Sequence, residues 1–358
     1  MSQYSTLLIA GGAGFVGSSL AIRLRDRYPL ARIVVADNLK RRGSEWNLPR
    51  LADARIEFAH ADVRRPDDLA FPKTRFDLVV DCSAEPAVLA AYEAGPSYVI
   101  DTNLMGTVNL LEVARRDGAD VVFLSTSRIY PIAALEAIAV EECPTRFAIA
   151  SAQSLPGVGP NGVREDFPLE GARSLYGATK LAGELLLAEY ADMYGLRTVV
   201  DRCGVITGPW QMGKVDQGVF ALWMGRHYFR QPLKYIGYGG GGKQVRDVIA
   251  IDELCDLVLL QIDGIGRLPQ RVYNVGGGLA SSLSLAETTA LCAEITGNRV
   301  EIERVSENRP ADVRVYVTDN ARVTADTGWS PRKTPRETLS EIFEWIRANE
   351  RLVAPLWS

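Results

Sequence analysis

The sequence is poor in histidine, with two among its 358 residues. These two, His60 and His227, lie far apart, and neither belongs to an HxH or HExxH pattern. Histidine is the base of Ser-His-Asp hydrolases and a common metal ligand in patterns of this kind. Neither a histidine-based metal site nor that type of hydrolase is therefore expected.

Cysteine is also scarce and irregularly placed. The five cysteines are odd in number and show no CxxC spacing. This usage is typical of reduced thiols and predicts a cytoplasmic protein. The first residues run directly into a strand-like segment, and no export signal is expected there.

The chain lacks both an excess of positive charge and a long apolar run. It has 40 Lys and Arg against 44 Asp and Glu, and its formal net charge is −4. The richest basic run, Lys40–Arg42, is short, and nucleic acid is not an expected partner. No segment approaches the roughly 20 apolar residues of a membrane span, and no membrane partner is expected.

The first two hundred residues alternate short apolar segments with helical patterns. The apolar segments are continuous, as in parallel strands that are buried on both faces. This alternation predicts an α/β fold with a doubly wound parallel sheet. Strands are predicted at Leu7–Ala10, Arg32–Asp37, Ile56–Ala61, Leu78–Ser83, Val121–Ser125 and Thr198–Arg202, and helices at Phe15–Tyr28, Tyr98–Arg116 and Tyr176–Tyr194.

The second part of the chain has a different character. Loops rich in glycine and proline separate shorter helical segments, and we interpret residues 201–358 mainly as a smaller, mixed α/β substrate-binding lobe, partly interleaved with the domain 1–200. Residues 131–173 form a long connection, which is usual for lids and binding loops. Helices in the lobe are predicted at Gly218–Phe229, Ile251–Ile262, Ser284–Thr296 and Pro335–Asn349.

The segment LLIAGGAGFVG is the most specific in the chain. Gly12, Gly14 and Gly17 fit the pattern G-x-G-x-x-G, and Gly11 adds the overlapping pattern G-x-x-G-x-x-G. A predicted strand precedes these glycines and a predicted helix follows them. Glycines in this position let the backbone approach a pyrophosphate at the helix N-terminus. The turn therefore predicts a dinucleotide-binding domain.

Asp37 ends the next predicted strand, 20 residues after Gly17. A carboxylate at this distance accepts hydrogen bonds from the hydroxyls of the adenine ribose. It also repels the 2′-phosphate of NADP, and NAD is therefore the predicted cofactor. Lys40, Arg41 and Arg42 follow closely and could soften that repulsion.

Tyr176 and Lys180 lie four positions apart at the start of a predicted helix, and so they share one helix face. This spacing occurs by chance in many helices, but after a dinucleotide-binding turn it indicates a catalytic pair. The ammonium of Lys180 favours the phenolate of Tyr176. That phenolate can accept a hydroxyl proton while a hydride leaves for NAD.

Further motifs place the chain in a family. Over its whole length the chain resembles the extended short-chain dehydrogenase/reductases, which include nucleotide-sugar epimerases and dehydratases. KQVRDV and DQG narrow the resemblance to epimerases that act on CDP-linked deoxyhexoses. The resemblance implies a Rossmann-type fold, NAD, and a nucleotide-diphosphate sugar as substrate. Its motifs are STSRIY (125–130), PNG (160–162), YGATK (176–180), DQGVF (216–220), GGKQVRDV (241–248), SLSL (282–285), RPADVRVYVTD (309–319) and GWSP (328–331).

The resemblance also implies a role for individual residues. Thr126, Tyr176 and Lys180 are the implied catalytic residues, with Thr126 holding the sugar oxygen and Lys180 also bonding the nicotinamide ribose. Arg246 and Arg309 are implied to clamp the pyrophosphate. The implied substrate-binding residues are Thr126, Asn161, Gln244, Arg246 and Arg309. The cofactor-binding residues are expected to be Gly11, Gly14, Phe15, Val16, Gly17, Asp37, Asn38, Asp62, Val63, Cys82, Ser83, Ala84 and Lys180.

Three positions depart from the family pattern. The family usually has His-x-Ala-Ala where this chain has residues 81–84, and an asparagine where Val205 stands. Contacts to the cofactor and to the phosphates must therefore differ locally. The 4,6-dehydratases of the family place an Asp-Glu pair directly after the catalytic threonine, and the decarboxylases tend to carry a glutamate there. Ser127 and Arg128 occupy these positions here, and neither can act as a carboxylate acid or base.

This set of catalytic residues, without a carboxylate after Thr126, fits an epimerase, which only removes and returns a hydride. By resemblance, the reacting carbon is C2 of a CDP-deoxyhexose. Two alternatives remain open: a 4-epimerase of an NDP-hexose, and a non-catalytic dinucleotide-binding scaffold or sensor. The resemblance also implies a homodimer or homotetramer, assembled through the helices Tyr98–Arg116 and Tyr176–Tyr194.

Overall fold

A computed structural model describes residues 4–87, 95–213 and 217–357 of the chain. Its strands are numbered along the chain. They are β1 (Thr6–Ala10), β2 (Arg32–Asp37), β3 (Glu57–His60), β4 (Leu78–Asp81), β5 (Asp120–Thr126), β6 (Val140–Glu142), β7 (Phe147–Ile149), β8 (Val158–Gly159), β9 (Gly162–Val163), β10 (Thr198–Cys203), β11 (Val205–Thr207), β12 (Leu233–Ile236), β13 (Val245–Ala250), β14 (Val272–Val275), β15 (Ser282–Ser284), β16 (Ile302–Val305) and β17 (Val315–Tyr316).

Seven parallel strands form the central sheet, in the order β14-β10-β5-β4-β1-β2-β3. Side chains of one strand alternate between two cores, one on each face of the sheet. In β1, Leu7 and Ile9 pack into one core, and Leu8 and Ala10 pack into the other. Burial on both faces explains the continuous apolar runs. The predicted α/β fold with a doubly wound, Rossmann-type parallel sheet is thereby confirmed.

Helices cover both faces of this sheet and form most of the smaller lobe. Their bounds are Phe15–Arg27, Leu48–Asp53, Pro96–Ile100, Gly106–Asp117, Ile132–Glu136, Leu175–Tyr194, Val219–Tyr228, Ile251–Gly264, Leu285–Thr296, Ala321–Thr327, Pro335–Ala348 and Glu350–Trp357. A turn of π-helix, Asp101–Met105, joins the third helix to the fourth. Short 3₁₀ turns lie at Ser44–Asn47, Pro66–Leu69, Ser127–Ile129, Tyr238–Gly240 and Leu279–Ser281.

Several helices begin and end at strong capping residues. The helix Leu175–Tyr194 begins after Ser174, whose hydroxyl accepts a hydrogen bond from the Gly177 N–H at 3.2 Å, and it ends at Gly195 in the left-handed conformation. Two helices of the smaller lobe begin with capping boxes, formed by Ser284 with Glu287 and by Thr334 with Glu337.

The predicted helix Tyr98–Arg116 differs from the observed one in an instructive way. The helical segment runs from Pro96 to Asp117 and contains the π-turn, which shifts the helical register by one residue. Asn103 in this turn accepts a hydrogen bond from the Glu85 N–H (2.7 Å) and donates one to Thr179 Oγ1 (3.2 Å). The irregular turn thus ties the segment after β4 to the helix that carries Tyr176.

A second sheet is formed by the strands β11, β13, β15 and β17. Strand β13 lies at its centre, pairing with β11 and β17 in parallel and with β15 in the antiparallel direction. The pairs β12–β16, β6–β7 and β8–β9 form three further two-stranded sheets. The last two lie in residues 131–173, which are therefore a structured connection. In the described ranges, no helix is both long and apolar enough to cross a membrane.

Candidate active site

The glycine-rich turn lies at the carboxyl end of β1, against the end of β4. Gly11 has φ +68°, and a Cβ atom on it would lie 2.8 Å from the carbonyl oxygen of Cys82. A Cβ atom on Gly17 would lie 2.3 Å from the Gly11 oxygen. Gly14 is the N-cap of the helix Phe15–Arg27 and has no side chain that could block its N-terminus. The turn therefore has the shape and the open helix end that a pyrophosphate requires.

Asp37 lies beside this turn, as its sequence position predicts. Its carboxylate accepts hydrogen bonds from the backbone N–H groups of Ala13 (3.1 Å) and Leu39 (2.8 Å). Burial raises the pKa of the Asp37 carboxyl, and hydrogen bonds from these N–H groups oppose the rise. The side chain therefore holds the turn in place as well as presenting acceptor oxygens at the dinucleotide site.

Two of the basic residues that follow Asp37 contact other groups. The Lys40 ammonium lies 3.3 Å from the centre of the Tyr98 ring. Arg41 donates hydrogen bonds to Gln217 Oε1 and to the Met212 carbonyl in the second part of the chain.

Asn38 and Asp62 meet at the end of β2 and β3. Asn38 Nδ2 donates to Asp62 Oδ2 at 3.2 Å, and the Arg64 guanidinium pairs with the same carboxylate at 2.5 Å. The hydrogen bond from Arg64 lowers the pKa of the Asp62 carboxyl. Val63 packs under Gly106, where a Cβ atom would lie 2.7 Å from Val63 Cγ2. The structure thus brings these predicted adenine-side residues together.

Residues 81–84, where the sequence departs from the family pattern, lie at the end of β4 and directly after it. Buried Asp81 accepts hydrogen bonds from the Ser83 hydroxyl (2.6 Å) and from the Thr107 hydroxyl (2.9 Å). Burial raises the pKa of the Cys82 thiol, which disfavours its thiolate form. The Ser83 carbonyl accepts a hydrogen bond from Lys180 Nζ at 3.3 Å.

Thr126 and Tyr176 meet at the carboxyl end of β5. Thr126 is the last residue of that strand, and Tyr176 is the second residue of the helix Leu175–Tyr194. The Thr126 side chain lies close enough to the Tyr176 phenol to act on its pKa. Burial raises the pKa of the Tyr176 phenol to about 12, while the Thr126 side chain and the charge of Arg128 oppose that rise. Without bound ligands, burial dominates and the phenol is protonated at neutral pH.

Lys180 is 2% exposed and lies one turn further along the same helix. Its ammonium lies 4.3 Å from the centre of the Phe123 ring and donates to the Ser83 carbonyl. Burial lowers the pKa of Lys180, and the charge of Asp81 opposes that change. The ammonium is therefore held between the helix Leu175–Tyr194 and the segment that follows β4.

Arg246 lies near two residues, Arg128 and Asp312, that the sequence did not assign to the site. Its Nη2 pairs with Asp312 Oδ1 at 2.7 Å. Arg128 lies close enough to interact electrostatically with Tyr176, Arg246 and Asp312, and burial lowers the pKa of its guanidinium to about 10. Asp312 stands in the RPADVR motif, so a signal was present. Nothing in the sequence showed that Arg128 would face that loop.

The remaining predicted substrate residues lie in different surroundings. Buried Gln244 donates from Nε2 to the Ile236 carbonyl at 2.7 Å. Arg309 is on the loop of Asp312, and its carbonyl accepts the Asp312 N–H at 3.3 Å. Asn161, in the β8–β9 turn, lines a groove of about 430 Å³ whose other lining residues belong to 278–279, 318–321, 324–325 and 330–331. Asp216 of the DQG motif lies outside the described residues.

A buried polar network anchors the helix Leu175–Tyr194 to the central sheet. Glu184 on this helix pairs with Arg202 of β10 at 2.8 Å and accepts a hydrogen bond from the Ser125 hydroxyl. Arg202 donates to the hydroxyl of Tyr130 (3.2 Å), which donates to Asn274 Oδ1 (2.7 Å). The network joins β5, β10 and β14 to the helix that carries Tyr176 and Lys180.

The fold, the glycine-rich turn and the Thr-Tyr-Lys arrangement define a class of protein. The model of the family described as "NAD dependent epimerase/dehydratase family" matches residues 7–276, and the chain belongs to this family. It is an enzyme of that family. The family is NAD dependent, which confirms the predicted cofactor, and the turn and Asp37 described above have the geometry to hold it.

Individual relatives and solved structures show which members of the family the chain resembles. The chain is 30% identical to CDP-paratose 2-epimerase of Salmonella typhi, over 95% of this chain and 98% of the relative. It is also 30% identical to a dTDP-glucose 4,6-dehydratase of Streptomyces niveus, over 98% and 96%. The crystal structure of Thermus thermophilus UDP-glucose 4-epimerase in complex with NAD is 26% identical, with a TM-score of 0.75 over 96% of this chain and 99% of that one.

Proposed function

We propose that the protein is a nucleotide-sugar epimerase that removes a hydride from a sugar carbinol and returns it to the opposite face. The proposed substrate is a CDP-linked deoxyhexose and the proposed reacting carbon is C2. In this proposal Thr126, Tyr176 and Lys180 are the catalytic residues, and the protein works in the cytoplasm.

The observation that carries this proposal is the composition of the site around Thr126 and Tyr176, which lie at the end of β5 and the start of the helix Leu175–Tyr194. Expulsion of a hydroxyl by a 4,6-dehydratase requires acid–base groups beyond the tyrosine. Ser127 and Arg128 occupy the two positions after Thr126, and neither supplies a carboxylate. An epimerase needs one group that takes and returns a single proton, and Tyr176 suffices for this.

Each of the three proposed catalytic residues has its own role in the reaction. The Thr126 hydroxyl orients the sugar hydroxyl, and the Tyr176 phenolate accepts its proton as the carbinol becomes a ketone. NAD, when bound, would supply the hydride acceptor for this oxidation and the hydride donor for the reverse step. After the ring has turned, Tyr176 gives the proton back to the oxygen. Lys180 contributes positive charge that favours the phenolate, together with a hydrogen-bond donor on the dinucleotide side.

Arginines are proposed to anchor the diphosphate during this turn. Arg246 lies on β13, and Arg309 lies on the loop between β16 and β17 that also carries Asp312. A guanidinium matches phosphate oxygens well. C2 is adjacent to the anomeric carbon that bears the diphosphate. A ring that reacts at C2 can therefore turn while its phosphate end stays fixed. The 30% identity to CDP-paratose 2-epimerase supports this choice of carbon and of nucleotide.

A 4-epimerase of an NDP-hexose is the second candidate. It would use the same three catalytic residues, and the likeness to the UDP-glucose 4-epimerase structure favours it. A 4-epimerase requires a larger movement of the sugar, because C4 lies across the ring from the anchored diphosphate.

Isotope transfer distinguishes the candidates. The purified protein is given CDP-, UDP-, GDP- and dTDP-hexoses, and NMR identifies which carbinol centre inverts. Substrates deuterated at C2 or at C4 are then used in single turnover, and the reduced cofactor is examined by mass spectrometry. Label transferred from C2 of a CDP-sugar supports the proposal. Label transferred from C4 alone would establish the second candidate in its place.

A further inference from the structure

The loop 306–314 joins β16 to β17 and carries Arg309. Within it the Asp312 N–H donates to the Arg309 carbonyl at 3.3 Å, so residues 309–312 form a tight turn with Pro310 and Ala311 at its centre. Ala311 has φ +60°, in the left-handed region that residues with a side chain rarely adopt. Contacts from outside the loop therefore matter for keeping this turn in place.

Arg246 supplies one set of these contacts. Its Nη2 donates to Asp312 Oδ1 at 2.7 Å and to the Val313 carbonyl at 2.8 Å. The same carboxylate oxygen accepts a hydrogen bond from the Val313 N–H at 2.9 Å. Arg246 lies on β13, which pairs with β17 directly after the loop. These contacts join the turn 309–312 to the second sheet.

Arg128 joins the same turn to the central sheet. Its Nη1 donates to the Ala311 carbonyl at 2.9 Å, on the residue that has the left-handed conformation. Its own backbone is fixed at the end of β5, because its N–H donates to Thr126 Oγ1 at 3.2 Å and its carbonyl lies against Gly177. One end of the Arg128 side chain is thus held beside Thr126, and the other end holds Ala311.

We propose that Arg128 is a positioning residue that fastens the turn 309–312 to the end of β5 and so sets the place of Arg309 relative to Thr126. The inference rests on the proposed function, in which Arg309 anchors the diphosphate and Thr126 orients the sugar. A nucleotide sugar has to span both residues. If the turn shifts, the sugar carbinol leaves its reacting position even while the diphosphate stays bound, and a shift of about 1 Å can lower turnover by about 100-fold.

Hydrogen exchange of the loop 306–314, followed by mass spectrometry in the full-length protein, tests the attachment without any substrate. Arg128→Met removes the donor. We expect the loop amides to exchange about 10-fold faster in this variant, as for the loss of one charge-assisted hydrogen bond. Arg351→Met, at an exposed position, is the control. Wild-type exchange of the loop in Arg128→Met overturns the inference.

A second variant breaks the same contact from the loop. Proline cannot adopt φ +60°, so Ala311→Pro should move the carbonyl away from Arg128. Glycine adopts this conformation readily, and Ala311→Gly is therefore the matched control, with wild-type turnover expected. If Arg128→Met does not fold, as judged by circular dichroism, the comparison of Ala311→Pro with Ala311→Gly decides, and equal exchange and turnover in these two variants overturn the inference.

Steady-state kinetics measure the consequence for catalysis. Arg128→Met and Ala311→Pro should each lower kcat by about 10- to 100-fold. The inhibition constant of CDP, which has no sugar to place at Thr126, should change by less than about 3-fold. Because both substitutions remove one contact, the double variant should be no slower than the slower single variant. Arg128→Lys keeps a donor and should recover part of the lost kcat.

Other outcomes contradict the inference in distinct ways. A loss of CDP affinity as large as the loss of kcat/KM would show that Arg128 binds phosphate itself, and additive losses in the double variant would show that the two residues act separately. Full turnover by Tyr176→Phe would instead refute the proposed function. Loop exchange is measured without substrate, and it still shows in that case whether Arg128 holds the turn.

Discussion

A Cβ atom on Gly177 would lie 2.0 Å from the carbonyl oxygen of Arg128. At this point the helix Leu175–Tyr194 touches the turn that follows β5. The helix carries Tyr176, and β5 ends at Thr126, the two residues for which we propose catalytic roles. The glycine therefore allows the helix to approach the turn next to Thr126 closely.

Gly177→Ala should push the helix away from this turn. The added methyl group contacts backbone, which cannot rotate aside, and overpacking of this kind costs roughly 1–3 kcal/mol of unfolding free energy. We expect a lower melting temperature and a lower kcat. Gly264→Ala is the matched control, because nothing lies within 4 Å of a Cβ there. Equal behaviour of the two variants would contradict the role given to Gly177.

Asp37→Ala should weaken NAD binding and reduce discrimination against NADP. The substitution removes the acceptor for the ribose hydroxyls and also the anchor of the Ala13 N–H. We expect NAD affinity to fall by about 10- to 100-fold, which corresponds to the loss of charge-assisted hydrogen bonds. Calorimetric titration of cofactor-free protein with each dinucleotide measures this. Asp67→Ala, on the exposed turn Pro66–Leu69, controls for the change in net charge.

Arg246→Met should raise KM for the nucleotide sugar strongly. It removes the proposed phosphate donor and leaves the Asp312 carboxylate, 2.7 Å from the lost nitrogen, unopposed in the cleft. If anchoring also positions the ketone for hydride return, kcat falls as well. Steady-state kinetics with the substrate identified by NMR provide the values. An unchanged KM, in comparison with the exposed Arg351→Met, would exclude Arg246 from phosphate binding.

Asp201→Asn should stabilise the protein at alkaline pH. Asp201 is fully buried, its Oδ1 accepts from Gln261 Nε2 at 2.7 Å, and burial raises its pKa to about 7. Because the folded state binds the proton more tightly than the unfolded state, unfolding free energy falls as pH rises between about 4 and 7. Above that range the wild type carries the full cost, of the order of a few kcal/mol.

Denaturant unfolding at pH 5 and pH 8 tests this prediction. The variant should be the more stable protein at pH 8, and its advantage should shrink at pH 5. Asp53→Asn, at an exposed position, should show no such pH-dependent advantage. An equal difference in unfolding free energy between wild type and Asp201→Asn at both pH values would show that Asp201 does not cause the pH dependence.

Leu185→Asp should lower the oligomeric mass. Leu185 and Met193 are 63% and 65% exposed on the catalytic helix, in the surface we propose for self-association. A buried aspartate in an apolar interface is costly, and the assembly should dissociate. Light scattering at micromolar concentration measures the mass, and Leu30→Asp, at a residue 97% exposed elsewhere, is the control. A monomeric wild type would refute the surface.

Much of the cofactor side could be predicted from the sequence, because local pattern determines it. Strands buried on both faces give continuous apolar runs, and the glycine turn and Asp37 lie at fixed places relative to β1 and β2. Thr126 and Tyr176 meet because the strand end and the helix start lie on the same edge of the sheet.

The substrate side depends on long connections that have no period. The contact between Arg128 and the Ala311 carbonyl joins residues 183 positions apart, and no spacing announces it. The hydrogen bond from the Ala13 N–H to the Asp37 carboxylate was also not predictable, because no sequence spacing indicates it. The contacts of Lys40 with the Tyr98 ring and of Arg41 with the Met212 carbonyl could not be predicted from their place next to Asp37 in the sequence either.

The position of β14 has a consequence for how the chain is synthesised. This strand covers the edge of β10, whose six residues are all buried, but it is made from residues 272–275. A nascent chain that has reached β10 therefore presents an open, apolar strand edge until the intervening lobe has left the ribosome. Open edges of this kind invite pairing with other chains. A fragment ending near residue 203 should accordingly aggregate, and the cofactor half should mature only after translation of the lobe.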